Sequence, residues 1–557
     1  MKNLIPTTIF LAALVFNTPL IYSQSPKFTL AQRAGGSSTD TGYGIATDGS
    51  GNIIISGEFA STSTFGDTTI TSAGSGDIFL AKYDKSGNLL WVQRAGANQR
   101  DRAWDVAIDG VGNIVTTGFF RGTTTFGDTT LTSAGLAEMF VAKYDGNGNL
   151  IWAGQAGGSL DDTGLGVVTD DSENIIVTGS FNDIAIVGDT LLTSAGESDV
   201  FIAKYEGNGN LLWAVQAGGN LDDAGFGIVT DDSENIIVTG SFGGTATFGD
   251  TTITSAGMDD VFIAKYDGSG NLLWAERAGG SSNDSGFDIV TDGFENIFVT
   301  GPFELTASFG DTTLMSAGNR DIFIAKYAGS GDLLWVERAG GGSDDFGWGI
   351  VLDGTGNIIV TGYFSDTATF GNTRLTSAGV VDIFIVKYDG SGHLLWAERA
   401  GGSSTDQGYD ITTHGPDEII TTGAFRGTAS FGNTTLTSAG GGDIFIARVT
   451  EVTTGVEEKS TYPRAYRLFQ NYPNPFSVTG TFGNLSTTIA YSIPTPQLVK
   501  LKVYDVLGNE VATLVNARKN AGNYQASFEA GKLTSGIYFY RLEAGDFVEN
   551  KKMILIR

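Results

Sequence analysis

The sequence predicts an all-β protein: a seven-bladed β-propeller closed by exchange of its N-terminal strand, followed by a small C-terminal β-sandwich. Three observations predict it. Trp91, Trp152, Trp213, Trp274, Trp335 and Trp396 stand 61 residues apart, with Leu30 one step upstream, and so strict a period means one unit copied in tandem. The array opens with a lone fourth strand, KFTLAQRAG (27–35), and stops after a third strand, DIFIARVT (443–450), so the two remnants complete one sheet. After Thr450 the period ends, and a different alternation of apolar and polar residues begins at Tyr466.

Residues 1–23 carry Lys2, a short apolar stretch over 9–16 and the small Ser23, the pattern of a cleavable secretory signal. That stretch is too short to span a bilayer, and no later segment offers the ~20 apolar residues a membrane helix needs. There is no cysteine, so disulfides and thiolate metal sites are excluded, and a chain this long buries enough apolar surface without them. The formal charge of −29, from 62 acidic and 33 basic residues, repels a phosphate backbone and argues against nucleic acid.

Within one copy, for example 225–279, four β-like segments follow one another: GFGIVTD, NIIVTGSF, DVFIAKYD and NLLWAERAG. Turns rich in Asp, Gly, Ser and Asn join the first pair and the last pair, because these residues accept positive φ or bond their own backbone. The second and third segments are almost continuously apolar, as in strands covered on both faces, so each copy must pack against its neighbours. Between them, TATFGDTTITSAG (245–257) suggests an extra small hairpin. An open solenoid would end in atypical capping units, whereas strand exchange between the termini leaves only short, protected edges. Residues 24–450 are therefore assigned to the propeller. Segments such as 225–242 and 267–280 resemble the bacterial β-propeller repeat family, a likeness that implies architecture and no single reaction.

Residues 451–465 read as a linker. In 466–557, TTIAYSIP, QLVKLKVYDV, GNYQASFEA, GIYFYRLEAG and FVENKKMILI alternate as half-buried antiparallel strands do, which suggests the β-sandwich. This tail resembles the C-terminal sorting domain of type IX secretion cargo. The resemblance is carried by LFQNYPNPF with Asn471, Pro473, Asn474, Pro475 and Phe476, by STTI (486–489), by VYDVLGNEVATLV (503–515) with Gly508, by Ala521 and Gly522, by SGIYFYRLEAG (535–545) with Gly536, and by KKMILIR with Lys551 and Lys552. One departure is SVTGTFGN (477–484), longer than the family's usual join. The resemblance implies export through the periplasm, partnership with the type IX secretion machinery, and a secreted or surface-attached product whose tail is commonly removed. The alternative is a sandwich that itself binds something at the surface.

Several positions invite a functional reading. Asp40, Asp101, Asp162, Asp223, Asp284, Asp345 and Asp406 recur in register before each first strand, which in a propeller rings one face near the channel. Calcium is possible there, since it takes ~6–8 oxygen ligands; a turn in which Asp accepts backbone N–H groups is the favoured reading. DGNGN (145–149) and DGSGN (267–271) superficially suggest calcium loops but lack the Glu at the twelfth position. Tyr43, Trp104, Leu165, Phe226, Phe287, Trp348 and Tyr409 form a second register, read as core packing ahead of sugar stacking. Symmetry breaks at NQRDRAW, where Arg100 and Arg102 flank Asp101 beside Trp104. That cluster suits a carboxylated or sulfated sugar, or else neutralises the acidic rim. His393 and His414 are the only histidines, too little for a His-based triad or zinc site. The expected function is thus an exported, non-enzymatic module, without cofactor, that binds a glycan, a protein or a surface polymer. The alternatives are a polysaccharide-degrading enzyme using channel-face carboxylates and a purely structural surface component.

Overall fold

The computed structural model describes residues 24–453 except 416 and, further on, 466–471, 474, 476–477, 486–493, 497–519, 522–529, 533–545 and 547–556. The chain divides into two compact units, Met1–Thr454 and Gly455–Arg557. Among the described residues every regular element is a β-strand, and the large sheets are antiparallel. The expected signal (1–23) and most of the expected linker lie outside the described residues, as do Pro473 and Pro475.

The fourth copy represents the repeat. Asp223–Thr230, Ile236–Phe248, Thr251–Tyr266 and Leu272–Gly280 pair in chain order. At the first turn the Asp231 carboxylate accepts the N–H of Ser233 and of Asn235, and the Asn235 amide closes the loop at 2.9 Å. Asp267 does the same for Ser269 and Asn271 at the turn between the third and fourth strands. These are self-bonded Asx turns, so the DGNGN and DGSGN sequences are hairpin reversals.

The tryptophan period has a direct cause. Trp91 donates its indole N–H to the carbonyl of Gly146, in the corresponding turn of the next copy, at 3.3 Å, and Lys82 donates to the same carbonyl at 3.1 Å while pairing with Asp48 at 3.0 Å. Trp152 and Lys143 repeat this at Gly207, Trp213 and Lys204 at Gly268. Trp396 and Lys387 of the sixth copy find instead the carboxylate of Glu451 in the seventh, at 2.7 and 2.5 Å. Glu451 stands where the other copies have a turn, because here the third strand, Asp443–Thr453, runs straight on.

That third strand pairs with Gln24–Gly36 from the other end of the repeat region, in register from Gln24↔Thr453 to Ala34↔Ile444. The chain's first strand thus supplies the fourth strand of its last copy. Its final residues, Gly35 and Gly36, then pair with Thr64 and Ser63 in the insertion hairpin of the first copy. The insertion therefore joins copies together: Ala217, Gly218 and Gly219 of the third copy pair likewise with Phe248, Thr247 and Ala246 of the fourth. Only glycine fits this approach, since a Cβ on Gly219 would lie 1.9 Å from the Thr245 carbonyl oxygen.

The core forms between copies. Ile176, Val200 and Ile202 of the third copy pack with Ile236, Val238, Phe242, Phe248 and Phe262 of the fourth. Ile420, Ile444 and Ile446 of the seventh pack likewise with Ile45, Ile53, Ile55 and Phe59 of the first. Each large side chain buried this way contributes roughly 1.5–3 kcal/mol. In the fourth copy Phe248 meets Phe242 and Phe262 with ring centroids 6.5 and 4.8 Å apart. The third copy departs: Val187 replaces that phenylalanine and a cavity opens among Met139, Phe181, Ala185, Val187, Leu192 and Phe201.

The C-terminal unit has two sheets. One holds Arg467–Leu468, Ser486–Ile493 and Gly522–Glu529; the other holds Phe476–Ser477, Gln497–Tyr504, Glu510–Lys519, Gly536–Ala544 and Phe547–Ile556. Between them lie Ile489, Tyr491, Val499, Leu501, Tyr540, Leu542 and Met553. Asn471 is buried, its N–H donating to the Tyr540 hydroxyl and its side-chain amide to Thr487, both at 2.9 Å. The Asn474 side-chain amide oxygen accepts the Ile554 N–H at 2.8 Å, and Phe476 is buried.

Filling the third-copy cavity tests the inter-copy core: Val187→Ile, which adds one methylene, is expected to raise the unfolding free energy by about 0.5–1 kcal/mol, measured by denaturant titration.

Candidate functional site

Most copies share the Asx-turn residues at one end, with exceptions such as His414 and Ala328, and the copies diverge at the other end. Near the close of the second strand the equivalent residues are Glu58, Phe119, Ser180, Ser241, Pro302, Tyr363 and Ala424; near the start of the first they are Thr41, Arg102, Thr163, Ala224, Ser285, Phe346 and Gln407. Turn and core demands repeat in every copy, so residues that vary from copy to copy answer to something else.

The first-strand aromatics meet across copy boundaries at this divergent end. Ring centroids lie 4.6 Å apart for Tyr43 and Trp104, 5.2 Å for Tyr43 and Tyr409, 5.3 Å for Trp348 and Tyr409, 4.4 Å for Phe287 and Trp348, and 5.5 Å for Phe226 and Phe287. The run thus passes from the seventh copy straight to the first. All six rings are half-buried, as is Leu165. Phe346 and Tyr363 extend the aromatic area, 5.0 Å apart.

The two arginines singled out by sequence share one acceptor. Arg100 holds Glu58 through two nitrogens at 2.7 and 2.9 Å, and Arg102 reaches the same carboxylate at 2.8 Å. Arg102 also lies 4.6 Å from the Tyr43 ring centroid and 4.3 Å from that of Trp104. One carboxylate between two guanidinium groups leaves a local surplus of positive charge in a strongly acidic chain. A similar pairing lies across the aromatic area: Arg320 binds Glu304 at 2.6 Å and covers Phe346 at 5.4 Å.

The aspartate register is buried, and its carboxylates accept backbone N–H groups. Asp40, Asp101, Asp162, Asp223, Asp284, Asp345 and Asp406 are each at most 1% exposed, so they form no open ring on a channel face. Asp223 shows why: one oxygen accepts the Gly219 N–H at 2.6 Å, at the end of the preceding fourth strand, and the other accepts the Gly243 N–H at 3.0 Å, at the start of the insertion. Asp40 and Asp101 make the same two contacts and add a hydroxyl, from Ser63 and Thr124. These carboxylates clamp one copy to the next. Burial, their largest perturbation, pushes Asp101, Asp162 and Asp406 up to about 6 and Asp223, Asp284 and Asp345 up to about 7. Among the described residues no group of three His, Cys, Asp or Glu is placed to hold a metal ion.

A second set of carboxylates escaped sequence reasoning. Asp105, Asp288 and Asp410 occupy a first-strand position that is Gly44, Gly166, Gly227 and Gly349 in the other copies. Asp105 accepts the N–H of Val106 at 2.7 Å and, across the boundary, of Val167 at 2.8 Å. Asp288 serves Ile289 and Ile350 in the same way, and Asp410 serves Ile411 and Ile45 of the first copy. Each aspartate thus caps its own copy and the glycine copy that follows. Their signal in the sequence is the exchange of aspartate for glycine at one register position in three of the seven copies. Burial pushes Asp105 up to about 6 and Asp288 up to about 7; it holds Asp410 well above the usual range, with the charges of Asp105 and Asp288 adding to the effect.

Comparison with known proteins separates the two units. Residues 470–556 match the secretion system C-terminal sorting domain family. Among curated relatives, an uncharacterized WD repeat-containing protein of Acanthamoeba polyphaga mimivirus is 25% identical over 517 residues, covering 74% of this chain and 37% of the relative. The regulatory protein FlaEY of Caulobacter vibrioides is 24% identical over 256 residues, covering 44% of this chain and 25% of its own. The chain thus spans between a quarter and little more than a third of the length of the curated relatives it matches. Among solved structures, PorZ, a surface component of the type IX secretion system of Porphyromonas gingivalis, aligns at 10% identity with a TM-score of 0.29, over 94% of this chain and 75% of that one, an overlap too loose to argue from.

The buried carboxylates make a test by pH. A native carboxyl whose pKa lies above its unfolded value of about 3.9 holds its proton more readily than the unfolded chain does between the two values, so its contribution is full below about pH 4 and is lost as pH rises toward 7. Denaturant titrations should therefore show the unfolding free energy falling from pH 4 to 7, and Asp288→Asn should flatten that slope by up to about 1.4 kcal/mol per pH unit. An unchanged slope in the variant contradicts the assignment.

Behind its tandem β-repeats, the chain therefore carries a secretion system C-terminal sorting domain over residues 470–556, which marks it for export by type IX secretion to the cell surface or the medium.

Proposed function

We propose that residues 24–450 are a seven-bladed β-propeller that works outside the cell as a binding module, with its ligand on the divergent end of the copies. The observation that carries the reading is the coincidence of two features at that end: the residues that vary between copies and the half-buried aromatic run Trp348–Tyr409–Tyr43–Trp104 flanked by Arg102. The pairing of Gln24–Gly36 with Asp443–Thr453 and the packing of the seventh copy on the first support the ring. Flat aromatic faces with charged hydrogen-bond donors at their edge suit a sugar chain bearing carboxylate or sulfate groups.

The propeller needs neither calcium nor catalysis in this reading. The clamp carboxylates direct their oxygens at backbone N–H groups inside the fold, where a substrate has no access.

The test is titration of the full chain against panels of acidic and neutral polysaccharides. Saturable binding to an acidic polysaccharide is expected, weakened at least tenfold by Trp348→Ala or Arg102→Ala and unaffected by Val111→Ser at an Asx turn of the opposite end. Absence of saturable binding, or equal loss from the opposite-end variant, would sink the proposal.

A further inference from the structure

The sorting domain carries apolar residues that its fold does not use. In the motif segments 503–515 and 535–545, Val503, Tyr538, Tyr540 and Leu542 point inward and are buried. Their neighbours on the outer face of the same sheet are also apolar yet exposed: Ile537 by 43% and Phe539 by 40%. Register places them together, since Phe539 pairs with Tyr504 and with Lys552, and Ile537 pairs with Ile554. The middle of the same outer face is charged, with Lys502 opposite Arg541 and Lys500 opposite Glu543.

Beyond Tyr504 the strand turns through Asp505, Val506, Leu507, Gly508 and Asn509. Asp505 accepts the N–H of Leu507 and Asn509 and the Asn509 amide, all within 2.9 Å, and Gly508 supplies a φ of +82°. This is the Asx turn of the repeats. In the repeats its two central positions are mostly glycine or polar, as in Lys85 and Ser86, Gly146 and Asn147, or Gly268 and Ser269, with a single exposed apolar residue, Val111 or Phe294, in two of the turns. In the tail they are Val506 and Leu507, which are 65% and 83% exposed on a turn that needs neither. Exposed apolar groups gathered on a rigid frame mark a contact surface.

We infer that Val506, Leu507, Tyr504, Ile537, Phe539 and Ile554 form the surface by which the sorting domain docks on the export machinery, a protein partner presenting an apolar recess with an acidic edge for Lys552. The occupant follows from the family of residues 470–556, whose described role is sorting for secretion; the inference rests on that role. It places recognition on one end of one sheet, while Asn471, Asn474 and Phe476 serve the fold beneath it.

The experiment uses the full chain in a type IX-competent cell, with fractionation into periplasm, surface and medium. Leu507→Asp and the pair Ile537→Thr with Phe539→Thr are compared with Lys500→Gln at the charged middle of the same face, and with a chain lacking residues 466–557. Docking through the apolar end predicts at least a tenfold drop in exported protein for the first two, with unchanged thermal unfolding of the retained chain and normal export of Lys500→Gln. Should the strand pair unfold early, Leu507→Asp decides alone, because that side chain supports no core. Normal export of Leu507→Asp while the tail-less chain stays in the periplasm would overturn the docking surface; export of the tail-less chain would overturn the sorting role itself. A photo-crosslinker at position 507 that captures a second copy, or the chain's own repeats, instead of an export component would also overturn it.

Discussion

The repeat region depends on one strand pair, Gln24–Gly36 against Asp443–Thr453. A four-stranded unit with apolar residues on both faces of its inner strands has no stable form alone; each copy is covered by its neighbours, and the demand passes along the array until something covers the last. Here the N-terminal strand completes the last sheet and, through Gly35 and Gly36, continues into the hairpin of the first copy. The Arg33–Asp443 ion pair, 2.6 Å long, repeats across this seam the Arg94–Asp77 pair of an ordinary copy. Glu451 takes over at the seam the role of a turn carbonyl, accepting from Trp396 and Lys387. The junction repeats the ion pair and the strand pairing of an ordinary copy, with Leu30 in the tryptophan register and Arg448 donating to the Lys85 carbonyl at 2.7 Å where other copies use a lysine, and this is the physical basis for proposing a ring.

Carboxylates do most of the polar work inside. Those of the Asx turns fold hairpins, those before the first strands clamp copy to copy, and Asp105, Asp288 and Asp410 cap N–H groups across copy boundaries. A chain with a charge of −29 would otherwise be a poor candidate for dense packing, but much of that charge belongs to groups that accept hydrogen bonds in the interior and that burial pushes toward neutrality. At the end where the repeat is released from these duties aromatic and arginine side chains gather, and the proposed binding face lies there.

Much of this was legible in the sequence. The strands, the turns and the partner of the N-terminal strand follow from period and polarity, which depend on local chemistry repeated many times. The aspartate register was legible as a register, yet not as buried, because a turn acceptor and a cation ligand use the same residue type in the same loop. Arg100 and Arg102 were legible as a break in symmetry, but their acceptor, Glu58, lies in the preceding copy and is itself an exception. Asp105, Asp288 and Asp410 were missed for the opposite reason: they occur in three copies only, so a search for recurrence passes over them. The joining role of the insertion could not be read at all, since Gly218 and Gly219 pair with it only after two copies are side by side.

The most direct measurement joins the seam covalently. The chain has no cysteine, so Ala31→Cys with Ala447→Cys, partners in the strand register, gives one defined pair, and antiparallel partners at ~4.5–5.5 Å lie within disulfide reach. The account predicts an intramolecular disulfide on oxidation, seen as a monomer without free thiols that unfolds at a higher temperature than its reduced form. Two free thiols, or crosslinks only between chains, would contradict it.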